Sequence, residues 1–257
     1  MSAGPHPAAA PDRLAGMHLS IVIPAFNEEK LLPATLAAVA RASLAFAASG
    51  LTHEVIVCDN NSTDDTAALA RARGAAVIFE PENQISRARN TGATLATGDW
   101  ILFLDADSRP SFGLFSELAA TLHDATVLYG GCPLEFDSPA GAARLCIALW
   151  HRLAVWRHWA AGSFLFVRRD AFVESGGFSR ELYASEEIEL SHRLAVIARR
   201  RRQGFAWLSA CPLETSARKL HFHTAGHHLR FALRTIVTRG RTLQHRDACG
   251  IWYDGRR

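Results

Sequence analysis

Leu19-Ser-Ile-Val-Ile-Pro24 opens a pattern that Glu54-Val-Ile-Val-Cys-Asp59 repeats. Both are short, β-branched, apolar runs, the first stopped by proline and the second ending on a carboxylate, and both read as buried strands. Between them Leu31 to Ala48 is rich in alanine and leucine at a spacing suited to a helix. A strand–helix–strand unit makes the two strands parallel and the class α/β. Asn60-Asn-Ser-Thr-Asp-Asp65 has turn and N-cap chemistry leading into a helix over Thr66 to Arg73, and Ala75 to Phe79 makes a third strand. A helix around Arg87 to Ala96 ends at Gly98, and Trp100-Ile-Leu-Phe-Leu104 is the fourth strand. Polar residues follow each strand's carboxyl end, the edge at which open doubly wound sheets bind ligands. Farther on, Val127 to Phe136 and Phe164 to Val167 have strand composition. Glu186 to Arg202 reads as a helix closing on four arginines, Arg199 to Arg202.

At 257 residues, 49% hydrophobic and 21% charged, the chain suffices for one large α/β domain or two small ones, and one domain with a tail is favoured. The expected organisation is a disordered segment over 1–16, one domain over 17–225, and a basic helix and tail over 226–257. The sequence has no run of eighteen apolar residues, and its Ala/Pro-rich start lacks the basic-then-apolar order of a signal peptide, so a cytoplasmic protein is expected. Five widely spaced cysteines without a Cys-x-x-Cys argue against a disulfide framework or a cysteine zinc site. The net charge of +3 hides an asymmetry: residues 1–143 carry 8 Lys and Arg against 16 Asp and Glu, whereas 144–257 carry 20 against 9. Such a split suits a divalent cation on one side and an anionic partner on the other. Phosphate would repel the acidic first half, which disfavours nucleic acid as that partner.

Asp105 and Asp107, two residues apart after the run Trp100 to Leu104, can direct oxygen ligands at a hard cation while substrate phosphates complete its shell. Asp-x-Asp alone is common, and two aspartates capping a turn before Pro110 would look the same. Company strengthens the functional reading, because Pro24-Ala-Phe-Asn-Glu-Glu29, Asp59 and Ser86-Arg-Ala-Arg-Asn-Thr-Gly92 fall after the preceding strands, gathered at the same edge.

The ordered series Ile21 to Glu29, Val57-Cys-Asp-Asn-Asn-Ser-Thr-Asp64, Ser86 to Gly92, Gly98-Asp-Trp-Ile-Leu-Phe-Leu-Asp-Ala-Asp107, Gly176-Gly-Phe178 and Glu186-Glu-Ile-Glu-Leu190 resembles family-2 glycosyltransferases of the GT-A type. The resemblance covers roughly Leu19 to Lys219. It implies a single GT-A domain with an open, mostly parallel sheet flanked by helices. It also implies an inverting transfer from a nucleotide sugar, with UDP the expected nucleotide. On this resemblance Pro24, Ala25, Asn27 and Glu28 line the nucleoside pocket, and Asp59 accepts a hydrogen bond from the base. Arg89 and Asn90 sit near the diphosphate or fix the loop beside it, a structural salt bridge being the other reading of Arg89. Asp105 and Asp107 handle ribose and metal, Mn2+ or Mg2+, with Asp107 the surer ligand.

The same resemblance places Ala161-Gly162-Ser163 beneath the donor sugar, and puts the base in Tyr183-Ala-Ser-Glu-Glu187. By position Glu187 is the base, but the family's usual pair there is Glu-Asp, so the longer side chain leaves Glu186 as the alternative. In Thr215-Ser-Ala-Arg-Lys219, Arg218 and Lys219 would close over the pyrophosphate, and His221 or His223 would reach the metal. The nearby His227 and His228 lack the Cys or spaced Glu of a dedicated zinc site. Arg144 to Trp159 interleaves three tryptophans with arginine and histidine, and His227 to Arg241 mixes four arginines with apolar residues. Both suit peripheral contact with the inner face of the cytoplasmic membrane and a lipid-linked or cell-envelope glycan acceptor; ordinary core packing is the other reading. Two other functions remain: a sugar-1-phosphate nucleotidyltransferase, whose Gly- and Lys-rich activating loop is missing from residues 19–30, and a non-catalytic sugar-nucleotide or membrane-surface binding protein. A nicotinamide dehydrogenase is a weaker reading still, because none of the 18 glycines forms Gly-x-Gly-x-x-Gly.

Overall fold

The computed structural model describes residues 16–136, 141–216, 241–245 and 247. Four strands come first in the order the sequence gives them: β1 (His18–Ala25), β2 (Thr52–Asp59), β3 (Ala76–Phe79) and β4 (Trp100–Leu104). They pair in parallel as β3-β2-β1-β4, with Ala25 opposite Asp59 and Leu19 opposite Trp100. The intervening helices are α1 (Leu32–Ala42), α2 (Thr66–Ala72) and α3 (Ile85–Thr94). Then follow β5 (Ser108–Arg109), α4 (Phe112–Leu122), β6 (Val127–Gly131), β7 (Leu134–Phe136) and α5 (Gly141–Arg157). The described chain continues with β8 (Phe164–Arg168), α6 (Arg169–Ser175), α7 (Glu186–Arg201), β9 (Gly204–Trp207) and β10 (Leu213–Thr215). The main sheet has seven strands, β3-β2-β1-β4-β8-β6-β9, in which β8 runs antiparallel to both neighbours; β5, β10 and β7 form a small second sheet.

Strands buried on both faces send alternate side chains to opposite layers, and the core divides accordingly. Leu19, Ile21 and Ile23 pack with Leu102 and Leu104 against Leu36, Phe46, Phe115 and Leu118. Val22, Ile56, Ile101 and Phe103 pack with Phe172, Phe178, Leu190 and Leu194 on the other side. Each fully buried Leu, Ile or Phe contributes about 1.5–3 kcal/mol relative to exposure, so these two layers fix the sheet as a rigid platform. Gly92 lets α3 lie against β1, since a methyl there would run into Val22. Ser111 caps α4 by accepting from Leu114 N at 3.1 Å. At α2 the N-cap residue Asp65 makes no side-chain cap, and Asp64 instead accepts from Thr66 N at 3.0 Å.

Several expectations need amending. Val127 to Phe136 is not one strand: it breaks at Cys132-Pro133, because proline lacks the N–H that a ladder requires, and the two pieces enter different sheets. The helix expected over Leu31 to Ala48 is α-helical only to Ala42 and continues as a 3-10 helix over Ser43–Ser49. That joint run, Leu32–Ser49, is the one among the described residues long and apolar enough to cross a membrane, and half of it is buried inside the domain. The sequence reading did not anticipate α4, α6, β9 or β10. The segment expected to be disordered lies outside the described residues except for Gly16. So does the expected basic tail, except for a 3-10 turn over Arg241–Gln244, His245 and Asp247.

Candidate active site

The loops after β1 and β2 are stapled together at the carboxyl edge. Asn27 takes a left-handed φ of 52°, and its Oδ1 accepts from Thr63 N at 2.8 Å while its own N–H donates to Ser62 Oγ at 3.0 Å. Asp59 Oδ1 accepts from Ser62 N at 3.0 Å, and Glu28 N–H donates to Thr66 Oγ1 at 2.8 Å. Pro24, Ala25, Glu28 and Asp59 are all buried, Pro24 and Ala25 within β1 itself. Asn60 extends the staple, its Nδ2 donating to the carbonyls of Glu80 at 3.2 Å and Glu82 at 2.7 Å. Beside these loops opens a cavity of about 480 Å³ walled by Phe26, Asn61, Thr63, Pro81, Glu82, Asn83, Gln84 and Tyr183. None of these was among the expected nucleoside residues. Phe26 and Asn61 had a signal in the sequence, lying inside the quoted motifs, whereas Asn83 and Gln84 had none.

Arg89 is the hub of the site. It projects from α3, is 2% exposed, and donates from Nη1 to Glu186 Oε1 at 2.5 Å and from Nη2 to Asp105 Oδ1 at 3.1 Å. Nη2 also donates to the carbonyl of Gly162 at 3.0 Å, and Phe178 lies beneath the guanidinium, 5.2 Å from its ring centroid. Burial works against the positive charge, but Asp105, Glu186 and Glu187 hold it above the usual arginine value. Gly162 is required for close approach, because a methyl at that position would stand 2.6 Å from Nη2. Asp105 is held from a second side by Ser163, whose hydroxyl donates to Oδ2 at 3.0 Å. The structure thus brings together Arg89, Asp105, Gly162, Ser163, Glu186 and Glu187 from four separate segments. Asn90, next on α3, is engaged elsewhere: its side chain donates to Phe178 O at 2.8 Å and accepts from Phe178 N at 2.9 Å, fixing the Gly176-Gly-Phe178 loop.

Glu186 and Glu187 begin α7, where acidic side chains meet the positive end of the helix. The segment leading in is held by Gln84, whose Nε2 donates to Arg180 O and Leu182 O, both at 2.9 Å. Ser185 enters the helix at φ 60°, a left-handed turn that aims the two glutamates at the β4 edge. Their environments differ. Glu186 is buried and ion-paired to Arg89. Glu187 is pushed up to about 8 by burial and by the neighbouring Glu186 carboxylate, with Arg89 pulling the other way and Asp105 adding to the rise.

Asp107 is buried beside Asp105 in a tethered turn. Thr35 Oγ1 donates to Ala106 O at 2.7 Å, and Ser108 pairs in β5 with Thr215 of β10. Among the described residues no cluster of three His, Cys, Asp or Glu could hold a metal by protein ligands alone. Two carboxylates fit a cation that keeps waters and substrate phosphates in its shell, the habit of Mg2+ and Mn2+ sites. Arg218 and His223, expected to complete the site, lie outside the described residues, as do Lys219, His221, His227 and His228. Ala161 belongs to the same loop as Gly162 and Ser163, its carbonyl accepting from Phe164 N at 3.0 Å.

Known proteins resemble this chain in sequence and in fold. An uncharacterised glycosyltransferase of Mycobacterium tuberculosis is 36% identical over 118 residues, 46% of this chain and 50% of its own length. Glycosyltransferase AglE of Haloferax volcanii is 30% identical over 188 residues, 68% of this chain and 60% of its own. The chain therefore spans about half to three fifths of the curated relatives it matches here. Two solved structures share the fold. Staphylococcus aureus TarS 1-349 in complex with UDP-GlcNAc has a TM-score of 0.61 at 17% identity, covering 78% of this chain and 58% of its own. Glucosyl-3-phosphoglycerate synthase from M. tuberculosis, in complex with Mn2+, UDP and phosphoglyceric acid, has a TM-score of 0.57 at 20% identity, covering 88% and 79%. Residues 20–174, which run from β1 into α6 and include Asp105 and Gly162 among the partners of Arg89, match the model of glycosyl transferase family 2, and the chain belongs to that family.

Proposed function

We propose that this protein is a metal-dependent inverting glycosyltransferase that moves a sugar from a UDP-sugar to an acceptor hydroxyl. One observation carries the reading: Arg89 ties the Asp105 end of β4 to the start of α7, so a donor-binding carboxylate and a candidate base stand at one edge. Family membership supports glycosyl transfer and weighs against a nucleotidyltransferase or a non-catalytic binding protein. UDP is the inferred nucleotide because the two fold relatives above bear UDP or UDP-GlcNAc.

Glu187 is the base in this reading. Glu186 has its charge committed to Arg89, whereas Glu187 sits where a raised proton affinity suits general-base work near neutral pH. Glu187 takes the proton of the acceptor hydroxyl as that oxygen attacks the anomeric carbon, and the bond from that carbon to the β-phosphate oxygen breaks. UDP departs from the opposite face, which inverts the centre. Asp105 and Asp107 hold the ribose and diphosphate end of the donor, Asp107 as the main metal ligand with Asp105 and His223 beside it. A divalent cation there supplies electrostatic stabilisation of the diphosphate charge. Pro24, Ala25, Asn27, Glu28 and Asp59 shape the nucleoside side, and Arg218 closes over the pyrophosphate. The acceptor is a lipid-linked or cell-envelope glycan at the cytoplasmic face of a membrane.

The test is UDP release from a panel of UDP-sugars with Mn2+ or Mg2+ and a membrane extract as acceptor source. Asp107→Ala should lose the metal-stimulated rate, and full turnover by that variant in chelator would remove the metal from the scheme. Mass spectrometry of the products then identifies donor and acceptor.

A further inference from the structure

We propose that α5 presents a docking face for an anionic lipid bilayer, which sets the acceptor side of the site against the membrane surface. Over residues 148–157, whose burial is described, one side of the helix is covered and an apolar stripe on the opposite side is exposed. Ala154 points inward and is buried, while Leu149, Leu153 and Trp156 recur at the spacing of a single helical stripe and are 58%, 38% and 72% exposed. A tryptophan this exposed forgoes one of the largest burial energies any side chain offers. Arg152 falls in the same stripe and Arg157 beside it, both exposed. The Arg157 guanidinium lies 5.3 Å from the ring centroids of both Trp156 and Trp159.

The charge carried by this helix has one sign. From Gly141 to Arg157 the sequence contains Arg144, Arg152 and Arg157 and no Asp or Glu. Leucine for the acyl boundary, indole for the interfacial layer and arginine for phosphate is the combination a bilayer of anionic lipid selects. A second copy meeting the same stripe across a two-fold axis would set arginine against arginine. The chain's own residues 217–240 are equally mismatched, holding Arg218, Lys219, Arg230, Arg234 and Arg239 and no acid.

The helix is anchored as a rigid presenter. His151 Nε2 accepts from Leu134 N at 3.0 Å, Trp150 packs on Trp159 with ring centroids 5.8 Å apart, and Trp159 Nε1 donates to His192 at 2.8 Å. Burial keeps His151 below the usual histidine value, consistent with a neutral ring that accepts. From Trp159 the chain runs directly into Gly162 and Ser163, the partners of Arg89 and Asp105. Docking rests on the surface alone; its bearing on the acceptor rests on the glycosyl-transfer reading.

The test uses the whole protein with phosphatidylcholine vesicles and with equimolar phosphatidylcholine and phosphatidylglycerol vesicles. Expected are binding to the anionic vesicles that weakens with salt, tryptophan quenching by brominated acyl chains, and a roughly tenfold or greater loss of binding in Leu153→Asp and in Arg157→Glu. UDP release into water by these variants should stay at the wild-type rate, which together with unchanged melting shows that they fold. Failure of the folded wild type to bind anionic vesicles overturns the proposal, and so does binding that survives both substitutions. A dimer dissociated by Leu153→Asp assigns the face to a second copy instead. Shielding of Trp156 from iodide without vesicles, read as the difference from Trp156→Phe, assigns it to the chain itself. Vesicle binding with no UDP release from any donor would leave docking standing and remove the enzymatic reading; UDP release without vesicle binding does the reverse.

Discussion

Arg89 pairs with two buried carboxylates, Asp105 and Glu186, from opposite ends of its guanidinium. Arg89→Met would break both ion pairs, and breaking a buried pair by removing one partner costs about 3–5 kcal/mol. Urea denaturation at neutral pH reads that loss, and an unchanged midpoint would show that the pairs contribute nothing. Glu187 makes a separate prediction. A carboxyl raised from 4.5 to about 8 binds its proton more tightly in the folded state than in the unfolded one. Its stabilisation is therefore complete below the unfolded value and disappears as pH rises toward about 8. Glu187→Gln removes this titration, so the wild type should lose stability relative to the variant across that window. Parallel melting temperatures through the range would refute the raised value. Catalytically, Glu187→Gln should keep UDP affinity and lose about 10²–10⁴ in turnover, the range for a general base. If Glu186→Gln alone loses turnover in that way, the base is one residue back.

At the level of elements, the two glycines before Phe178 separate backbone strain from crowding. Gly176 and Gly177 have φ of 80° and 74°; a methyl on Gly176 meets nothing within 4 Å, whereas one on Gly177 stands 2.6 Å from Asn90 Oδ1. Gly176→Ala should cost about 1–2 kcal/mol from the left-handed backbone alone, and Gly177→Ala should cost more because it also displaces the clamp between Asn90 and Phe178. Equal losses in denaturation would mean that the clamp yields freely. The elements themselves differed in how plainly the sequence announced them. β1, β2 and β4 carry apolar runs, over 21–23, 55–58 and Trp100–Leu104, where the sheet is covered on both faces, and such runs need no knowledge of partners. β10 and β5 are strands of three and two residues that exist only by pairing with each other and with β7, and nothing in so short a stretch carries periodicity. α6 is a seven-residue helix started directly from β8, too short for an amphipathic pattern to emerge.

On the scale of the whole molecule, the carboxylates were legible because strand ends converge on one edge of a parallel sheet. What Arg89 touches was not: its partners lie 16, 73 and 97 residues away, and only the folded sheet brings them within reach. The resulting site joins the acidic first half, through Asp105 and Asp107, to the start of α7 in the basic second half. A donor with its cation should therefore act as a clasp across the domain and not as a local ligand. By linkage, UDP at a hundredfold excess over its dissociation constant stabilises the folded state by about 2.7 kcal/mol, which for a domain of this size raises the melting temperature by roughly 5–10 °C. If Asp105 and Asp107 share a cation with the diphosphate, most of that rise should require Mn2+ or Mg2+, vanish with chelator, and be lost in Asp107→Ala even with metal present. An equal rise in chelator would mean that the nucleotide is held by the loops after β1 and β2 alone, and that the two aspartates serve the turn and not a metal.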